Sequence, residues 1–359
     1  RCIRDSSKGR EHWANRVGFI LAAAGSAVGL GNIWRFPYMT GEHGGAAFIV
    51  IYLVAIFLIG YPLVVNETIL GRASQKSPVG AFKALAPNSP WWLVGALGVF
   101  TGFVILSYYI VVAGWSFAYI YKVILATTTQ GIDHAQVFKG HITSVWEPII
   151  WQVVFMLFTI SIIASGVVNG IQRWSTILMP ILFLLLIVLI IRGISLPGAG
   201  EGLTYYLKPD FSEVTGRTLL GAISQAFFSL SLGMGVFITY GSYLKRKDEI
   251  PVSTATIVGL DTLVALLAGF AIFPAVFALG FAPGAGPGLV FITLPAVFAQ
   301  MPFGVVFGVL FFVLLGIAAL TSAISLLEVV SAWLIDEKGW ERKKAAKCGI
   351  FTPCWMSAC

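Results

Sequence analysis

The chain has 359 residues, of which 58% are hydrophobic and 11% are charged, and its formal net charge is +7. So few charges cannot cover the surface of an ordinary water-soluble protein, whereas a lipid-facing surface does not need them. The basic excess is not accompanied by a basic amphipathic face interleaved with aromatic residues, which argues against a nucleic-acid-binding protein.

Apolar segments of about 20 residues, the length that crosses a bilayer core, recur along nearly the whole chain. They predict eight membrane spans, at residues 17–38, 46–70, 92–121, 147–168, 174–192, 218–244, 254–281 and 303–335. We therefore expect a single transmembrane domain over residues 1–347, followed by a short tail at 348–359 that contains three cysteines.

The basic residues are distributed unevenly between the two sides of the predicted membrane. If the N-terminus is cytoplasmic, the inner segments hold 17 Lys and Arg and the outer segments hold five. Because cytoplasmic loops of membrane proteins are enriched in Lys and Arg, this asymmetry predicts a cytoplasmic N-terminus.

Span one carries three glycines within seven residues, at Gly25, Gly29 and Gly31. Each glycine weakens a helix by about 1 kcal/mol relative to alanine. Taken alone, the cluster indicates either close helix packing through small residues or an interrupted helix.

Span six has a similar cluster of small and polar residues, from Ser229 to Gly235. Two interrupted helices, one opening each half of the chain, are typical of inverted-repeat transporters with a binding site at the bilayer midplane. Bare peptide groups in hydrocarbon cost several kcal/mol each unless a partner satisfies them. Cations can satisfy the carbonyl groups, and a carboxylate can satisfy the amide groups at a half-helix N-terminus.

Further polar residues are predicted at membrane depth. Asp261 stands in an otherwise apolar span seven and needs a cation, a proton or hydrogen bonds. Thr321 and Ser322 follow Ala318 by three and four residues, so a carbonyl and two hydroxyls can share one helix face, although Ser and Thr taken alone more often bond back to their own helix. Glu67, Glu328 and Arg35 also lie in or at the ends of spans, and each is either functional or a structural polar contact that faces the interior of the helix bundle.

A tyrosine pair in span three and a proline in span five also allow two interpretations each. Tyr108 and Tyr109 in span three are either core aromatics or donors to a bound carboxylate. Pro180, ten residues after Gly170, either kinks span five or permits local unwinding that admits cytoplasmic water. We find no His-Glu-x-x-His metal motif and no nucleophile elbow, so we do not expect an enzyme.

Several motifs in order resemble the neurotransmitter:sodium symporter family, and specifically its bacterial amino-acid branch. They are Arg10-Glu11-His12-Trp13, the segment from Gly18 to Pro37, Phe227 to Gly233, and Leu320-Thr321-Ser322. The resemblance covers about residues 10–337. It implies an all-α, five-plus-five inverted-repeat symporter fold with discontinuous helices one and six, whose first repeat is at about 10–195 and whose partial second repeat is at about 215–337.

The resemblance implies sodium-coupled symport of a hydrophobic or aromatic amino acid across the plasma membrane, with two sodium ions. One ion would be held by Ala27, Asn32, Ser229 and Asp261, and the other by Gly25, Val28, Ala318, Thr321 and Ser322. The substrate would contact Ala27, Leu30, Gly31, Ile105, Tyr109, Phe228, Ser229, Ser231, Met234, Ser322 and Leu326.

Two positions refine these expectations. Gly29 occupies the place where monoamine-carrying relatives have an aspartate, which favours a substrate with its own carboxylate. Asp261 stands where many relatives have asparagine, which resembles members that need no chloride. The implied inner gate consists of Arg10 and Asp336 with Trp13 and Tyr243, and the outer gate contains Arg35.

The chain ends after the eighth predicted span, whereas family members have eleven or twelve spans. We therefore expect either a symporter or a truncated fragment that does not transport. Substrate identity, ion stoichiometry and oligomeric state stay open at this point.

Overall fold

The computed structural model describes residues 11–129, 131–281, 286 and 288–347, and within these ranges every regular element is a helix. The spans consist of α1 (Arg16–Ala27) with α2 (Gly31–Glu42), α3 (Ala46–Ser74), α5 (Trp92–Thr128), α7 (Trp146–Ala164), α8 (Val167–Ile194), α10 (Gly216–Ser229) with α11 (Val236–Gly241), α12 (Ile250–Ala278) and α14 (Gly304–Lys338). The connecting helices are α4 (Pro78–Leu85), α6 (His134–Thr143), α9 (Ala199–Leu207), α13 (Leu289–Gln300) and α15 (Arg342–Lys347).

Span one is broken at its glycine cluster. The axes of α1 and α2 differ by 48°. Val28 at the break has an extended conformation, with ψ of 105°, and the Gly29 amide donates to the Asn32 side chain instead of continuing α1. The prediction of an interrupted first span is therefore confirmed.

Span six is broken between Ser229 and Val236. Ser231, Gly233 and Gly235 all have positive φ angles, 53°, 77° and 75°, which prevents a helix from continuing through them. The Gly233 amide, freed by the break, donates to the Glu67 carboxylate at 2.9 Å. Both halves are short because of this interruption, so span six does not appear among the six single helices of the described ranges that are long and apolar enough to cross a membrane.

The boundary between spans four and five was predicted wrongly. The predicted spans 147–168 and 174–192 leave a loop at 169–173 between them. In the structure the two helices are separated only by Ser165 and Gly166, and span five begins at Val167. Gly166 has a φ of 94°, which supplies the sharp turn. Residues 167–172 continue as a π-helix, and Pro180 lies inside a helix that is wound in this structure, so the alternative of an unwound segment near Gly170 is not observed.

The segments between the predicted spans contain helices, and one of them, α13, contacts two distant parts of the chain. Phe291 of α13 stacks on Phe138 of α6 with centroids 5.5 Å apart, and meets Trp34 of α2 edge to face at 6.5 Å. Trp34 also donates its indole N–H to the Gly286 carbonyl at 3.0 Å. The buried apolar residues form one large cluster, which reaches from Trp13 to Ala346.

Candidate functional site

A cavity lies between the two helix breaks, span three and span eight. Its free volume is about 20 Å³. It is lined by Ala27, Gly29, Gly31, Ile105, Tyr109, Phe228, Ser231, Met234, Ser322 and Leu326. The structure thus brings together nine of the eleven residues predicted to contact substrate, while Leu30 and Ser229 lie directly beside the lining residues in sequence.

The wall of the cavity on the span-one side is built around a tyrosine. The Leu30 amide, at the start of α2, donates to the Tyr109 hydroxyl at 3.2 Å. Tyr109 is buried, whereas Tyr108 is 41% exposed on the opposite side of span three. A Cβ atom at Gly29 would lie 2.3 Å from the Ser322 Oγ and 2.8 Å from the Tyr109 hydroxyl. A side chain at position 29 would therefore force Ser322 or Tyr109 to move.

Asp261 is fully buried on span seven, and it faces both helix breaks. Asn32 Nδ2 donates to Asp261 Oδ1 at 2.7 Å and to the Ser229 hydroxyl at 3.1 Å. The Ser229 hydroxyl donates to Asp261 Oδ2 at 2.8 Å. Within the described ranges Asp261 forms no salt bridge with a Lys or Arg, so its negative charge has only neutral donors around it.

Span eight contacts the break in span one through two hydroxyls that behave differently. Ser322 donates to the Ser26 carbonyl at 2.9 Å and lies 3.3 Å from the Val28 carbonyl. Thr321 bonds back to its own helix at the Ala318 carbonyl, 3.0 Å, and lies 3.4 Å from the Val28 carbonyl. Ser322 therefore bonds across to span one, while Thr321 bonds back to its own helix.

Gly25 of span one lies at the same contact between span one and span eight. A Cβ atom there would lie 3.3 Å from the Met179 sulfur of span five and 3.4 Å from Thr321. The predicted oxygen donors of Gly25, Val28, Ala318, Thr321 and Ser322 thus belong to two helices in direct contact, with span five packed against the same place.

One end of the helix bundle is closed by the segment before α1. Trp13 donates its indole N–H to the Tyr240 carbonyl at 3.0 Å, its amide donates to the Tyr243 carbonyl at 3.2 Å, and its ring packs edge to face on both tyrosines. Asp336 accepts from the Ser77 amide at 2.6 Å. Arg10, the predicted partner of Asp336, lies outside the described residues.

A buried ion pair on this side was not foreseen. Glu328 is fully buried on span eight, where it accepts from the Tyr243 hydroxyl at 2.5 Å and from Arg342 of α15 at 2.9 and 3.0 Å. Burial disfavours the charged guanidinium, but the attraction of Glu328 outweighs it and raises the pKa of Arg342. The sequence signalled Glu328 as an acid at membrane depth, but nothing local indicated its partner.

Arg35 lies on α2, after the break in span one. Its guanidinium donates to the Gln225 side chain at 2.5 Å and to the Ser224 hydroxyl at 3.0 Å, and it lies 5.1 Å from the centre of the Phe228 ring. Gln225 in turn donates to the Gly31 carbonyl at 2.8 Å. Gln225, a buried amide one turn before Ser229, was missed by the sequence analysis.

Known proteins share this arrangement of helices and motifs. The model of the sodium:neurotransmitter symporter family matches residues 10–131 and 127–358. The chain belongs to this family. Among its relatives, the sodium-dependent transporter YhdH of Bacillus subtilis is 47% identical over 92% of this chain and 74% of its own length. A sodium-dependent transporter of Haemophilus influenzae is 40% identical over 95% of this chain and 77% of its own length.

A solved family structure has the same fold. The crystal structure of MhsT in complex with L-phenylalanine superimposes with a TM-score of 0.90 and 50% sequence identity, covering 96% of this chain and 79% of MhsT. The predicted fold, an all-α inverted-repeat symporter with discontinuous helices one and six, is confirmed by this match. The chain is a sodium-dependent transporter of the membrane, and its relatives are transporters and not enzymes.

Proposed function

We propose that the protein is a sodium-coupled symporter of hydrophobic or aromatic L-amino acids that works by alternating access at the plasma membrane, with its N-terminus in the cytoplasm. The observation that carries this proposal is the buried Asp261 carboxylate beside both helix breaks, which accepts its side-chain hydrogen bonds from Asn32 and Ser229 among the described residues. A carboxylate in this setting favours binding of a cation at the same place as the substrate.

The first sodium ion would bind between span one, span six and span seven. Asp261 and the Ser229 hydroxyl supply oxygen atoms there, and Ala27 supplies a carbonyl at the end of α1, where the helix no longer provides a donor. Asn32 Oδ1 accepts from the Gly29 amide at 3.0 Å, so the amide group has to turn for this oxygen to reach the ion. A substrate carboxylate close to the same ion would couple sodium binding directly to substrate binding.

The second sodium ion would bind where span eight meets the break in span one. The carbonyls of Gly25, Val28 and Ala318 and the hydroxyls of Thr321 and Ser322 offer five hard oxygen donors, the type that alkali cations prefer. The contacts of Ser322 and Thr321 with the Val28 carbonyl support this assignment. An ion there would join the mobile broken helix to the scaffold.

The lining of the cavity favours an apolar amino acid. The polar groups face one end, where the Leu30 amide and the Tyr109 hydroxyl would hold a carboxylate, while Ile105, Phe228, Met234 and Leu326 form an apolar end. Gly29 leaves no room for a protein carboxylate at the amine end. The complex of MhsT with L-phenylalanine supports the same substrate class.

We further propose that transport needs no chloride, because Asp261 already supplies a fixed negative charge next to the first ion. The oligomeric state carries no proposal.

The test is uptake of labelled phenylalanine into liposomes that contain the full chain, with an inward sodium gradient. We expect uptake to require sodium, to persist when gluconate replaces chloride, and to be inhibited by leucine and tryptophan but not by phenethylamine, which lacks the carboxylate. Uptake that is unchanged when choline replaces sodium would overturn the proposal.

A further inference from the structure

Span three presents a face of glycine residues to the break in span six. Gly95, Gly98 and Gly102 are buried and follow one another three and four residues apart, so they lie on one side of the helix. Because glycine has no side chain, the backbone of another segment can approach the helix more closely there than at any other residue. Span three therefore has a notch that can receive a stretch of backbone.

The backbone that occupies this notch is that of residues 233–235. A Cβ atom built at Gly98 would lie 3.3 Å from the Gly233 carbonyl oxygen and 3.5 Å from the Gly235 amide nitrogen. At Gly102, one turn further along, the nearest atom is the Met234 carbonyl oxygen, at 3.4 Å. Gly98 is thus the more crowded position, and the atoms around it belong to backbone, which cannot rotate away as the end of a side chain can.

The same segment is held by other parts of the chain. The Gly233 amide donates to the Glu67 carboxylate of span two at 2.9 Å. A Cβ atom at Gly235 would lie 2.6 Å from the side chain of Pro78, at the start of α4. The residues directly before and after Met234 are therefore confined by span two, span three and α4 together.

Met234 lies between these two residues and lines the candidate substrate cavity. Its side chain forms the apolar end together with Ile105, Phe228 and Leu326. The free volume of the cavity is about 20 Å³, and closely packed surroundings transmit a displacement instead of absorbing it. A side chain in place of Gly98 would therefore lift the segment from span three and move Met234 into the cavity.

We propose that Gly98 determines the size of the amino acid that the protein accepts. Gly98 is not among the residues that line the cavity, so it is a positioning residue that acts through Met234. A larger residue at position 98 would narrow the apolar end, which disfavours phenylalanine more than leucine because phenylalanine fills more of that end. The inference rests on the proposed function, since it concerns the choice among the amino acids to be transported.

The experiment is competition binding to the full chain in lipid nanodiscs, in which unlabelled leucine or phenylalanine displaces labelled leucine in the presence of sodium. The readout is the ratio of the two affinities, which a loss of folded protein alone does not change. Space for one methylene group in an apolar pocket changes discrimination by about tenfold or more. We therefore expect the affinity for phenylalanine relative to leucine to fall about tenfold in Gly98→Val and about threefold in Gly98→Ala, whose added group is smaller.

Two further variants separate this role from a general effect on span three. Leu97 lies on the same turn and is 64% exposed, so the ratio in Leu97→Ala should stay within about twofold of the unsubstituted value. Combining Gly98→Val with Met234→Ala should restore at least half of the lost discrimination, measured against Met234→Ala alone, because a shorter side chain then enters the cavity.

An unchanged ratio in both Gly98 variants would overturn the inference, and so would effects of Gly98→Val and Met234→Ala that simply add. A parallel loss of both substrates in Gly98→Ala would also overturn it, since that outcome indicates a structural role alone. If Gly98→Val binds neither amino acid, the ratio in Gly98→Ala decides. Failure of the proposed function is recognised separately, by the absence of sodium-dependent binding of either amino acid to the unsubstituted chain.

Discussion

The Ser322 hydroxyl of span eight lies 2.9 Å from the Ser26 carbonyl, at the last turn of span one before its break. This hydrogen bond joins the unbroken scaffold helix to the helix end that carries the predicted sodium ligands. Ser325, one turn further along span eight, bonds to its own helix at the Ser322 carbonyl. The two serines therefore allow a matched comparison.

Replacing Ser322 by alanine should weaken sodium binding. The substitution removes a hydroxyl that contacts span one and is proposed as an ion ligand, and a lost hydrogen bond of about 1 kcal/mol corresponds to about a fivefold change. We expect the half-saturating sodium concentration for phenylalanine uptake to rise at least fivefold in Ser322→Ala and to change less than twofold in Ser325→Ala. Equal effects of the two substitutions would contradict a special role of Ser322.

Replacing Gly29 by alanine should weaken substrate binding. Its Cβ would lie 2.3 Å from the Ser322 Oγ and 2.8 Å from the Tyr109 hydroxyl, distances that force one of these groups to move. Overpacking of this kind costs about 1–3 kcal/mol, so we expect phenylalanine affinity to fall by about five- to 150-fold in a binding assay.

The control for this substitution is Gly102→Ala in span three. A Cβ atom at Gly102 would lie 3.4 Å from the Met234 carbonyl, which is ordinary contact. Affinity in Gly102→Ala should stay within about threefold of the unsubstituted value. Normal binding by Gly29→Ala would show that the cavity is not the substrate site.

Replacing Asp261 by asparagine should raise the sodium requirement and create a dependence on chloride. The amide preserves the size of the side chain but removes the fixed negative charge beside Asn32 and Ser229, so a mobile anion becomes useful for charge balance. We expect the half-saturating sodium concentration to rise at least tenfold in gluconate and to recover in part in chloride.

The neighbouring substitution Thr262→Val serves as the control for Asp261. The Thr262 hydroxyl is buried and forms no hydrogen bond with Asp261, Asn32 or Ser229, so its loss should leave the sodium requirement nearly unchanged. If Asp261→Asn behaves like Thr262→Val, the carboxylate does not take part in sodium binding.

Acidification should loosen helix α6. The His141 side chain is fully buried, with its Nδ1 3.3 Å from Glu147 Oε2, and Lys122 also pairs with that carboxylate at 2.8 Å. Burial lowers the pKa of His141 below its ordinary value of 6.5; Glu147 opposes this shift and Lys122 adds to it. Because the opened helix binds a proton more readily than the packed one, acidification below about pH 6.5 favours opening.

The measurement is hydrogen exchange at residues 134–143 between pH 7 and pH 5, corrected for the intrinsic rate. Exchange should accelerate toward pH 5 in the unsubstituted chain. In His141→Phe, which keeps a ring against Trp115 and Tyr119, the acceleration should be at most half as large. An identical pH response in both chains would assign the effect to another group.

The spans and the helix breaks were predictable because they depend on local sequence. A run of about 20 apolar residues signals a span wherever it occurs. The clusters around Gly29 and Gly233 are rich in glycine, which weakens a helix, and extended or positive-φ residues interrupt the helix there. The boundary at Gly166 was missed because polar residues 169–173 look like a loop, whereas the contacts of Glu11 and Gln172 keep them wound.

The sequence by itself therefore determined the membrane class, the order of the spans, the two interruptions and, through its motifs, the family. Only the tertiary structure decided that Ser322 and not Thr321 makes the short bond to span one, that Arg342 neutralises Glu328, and that Glu11 caps span five. Each of these pairs joins residues from different parts of the chain. Their partners are set by how the helices pack, and no local pattern of residues records that packing.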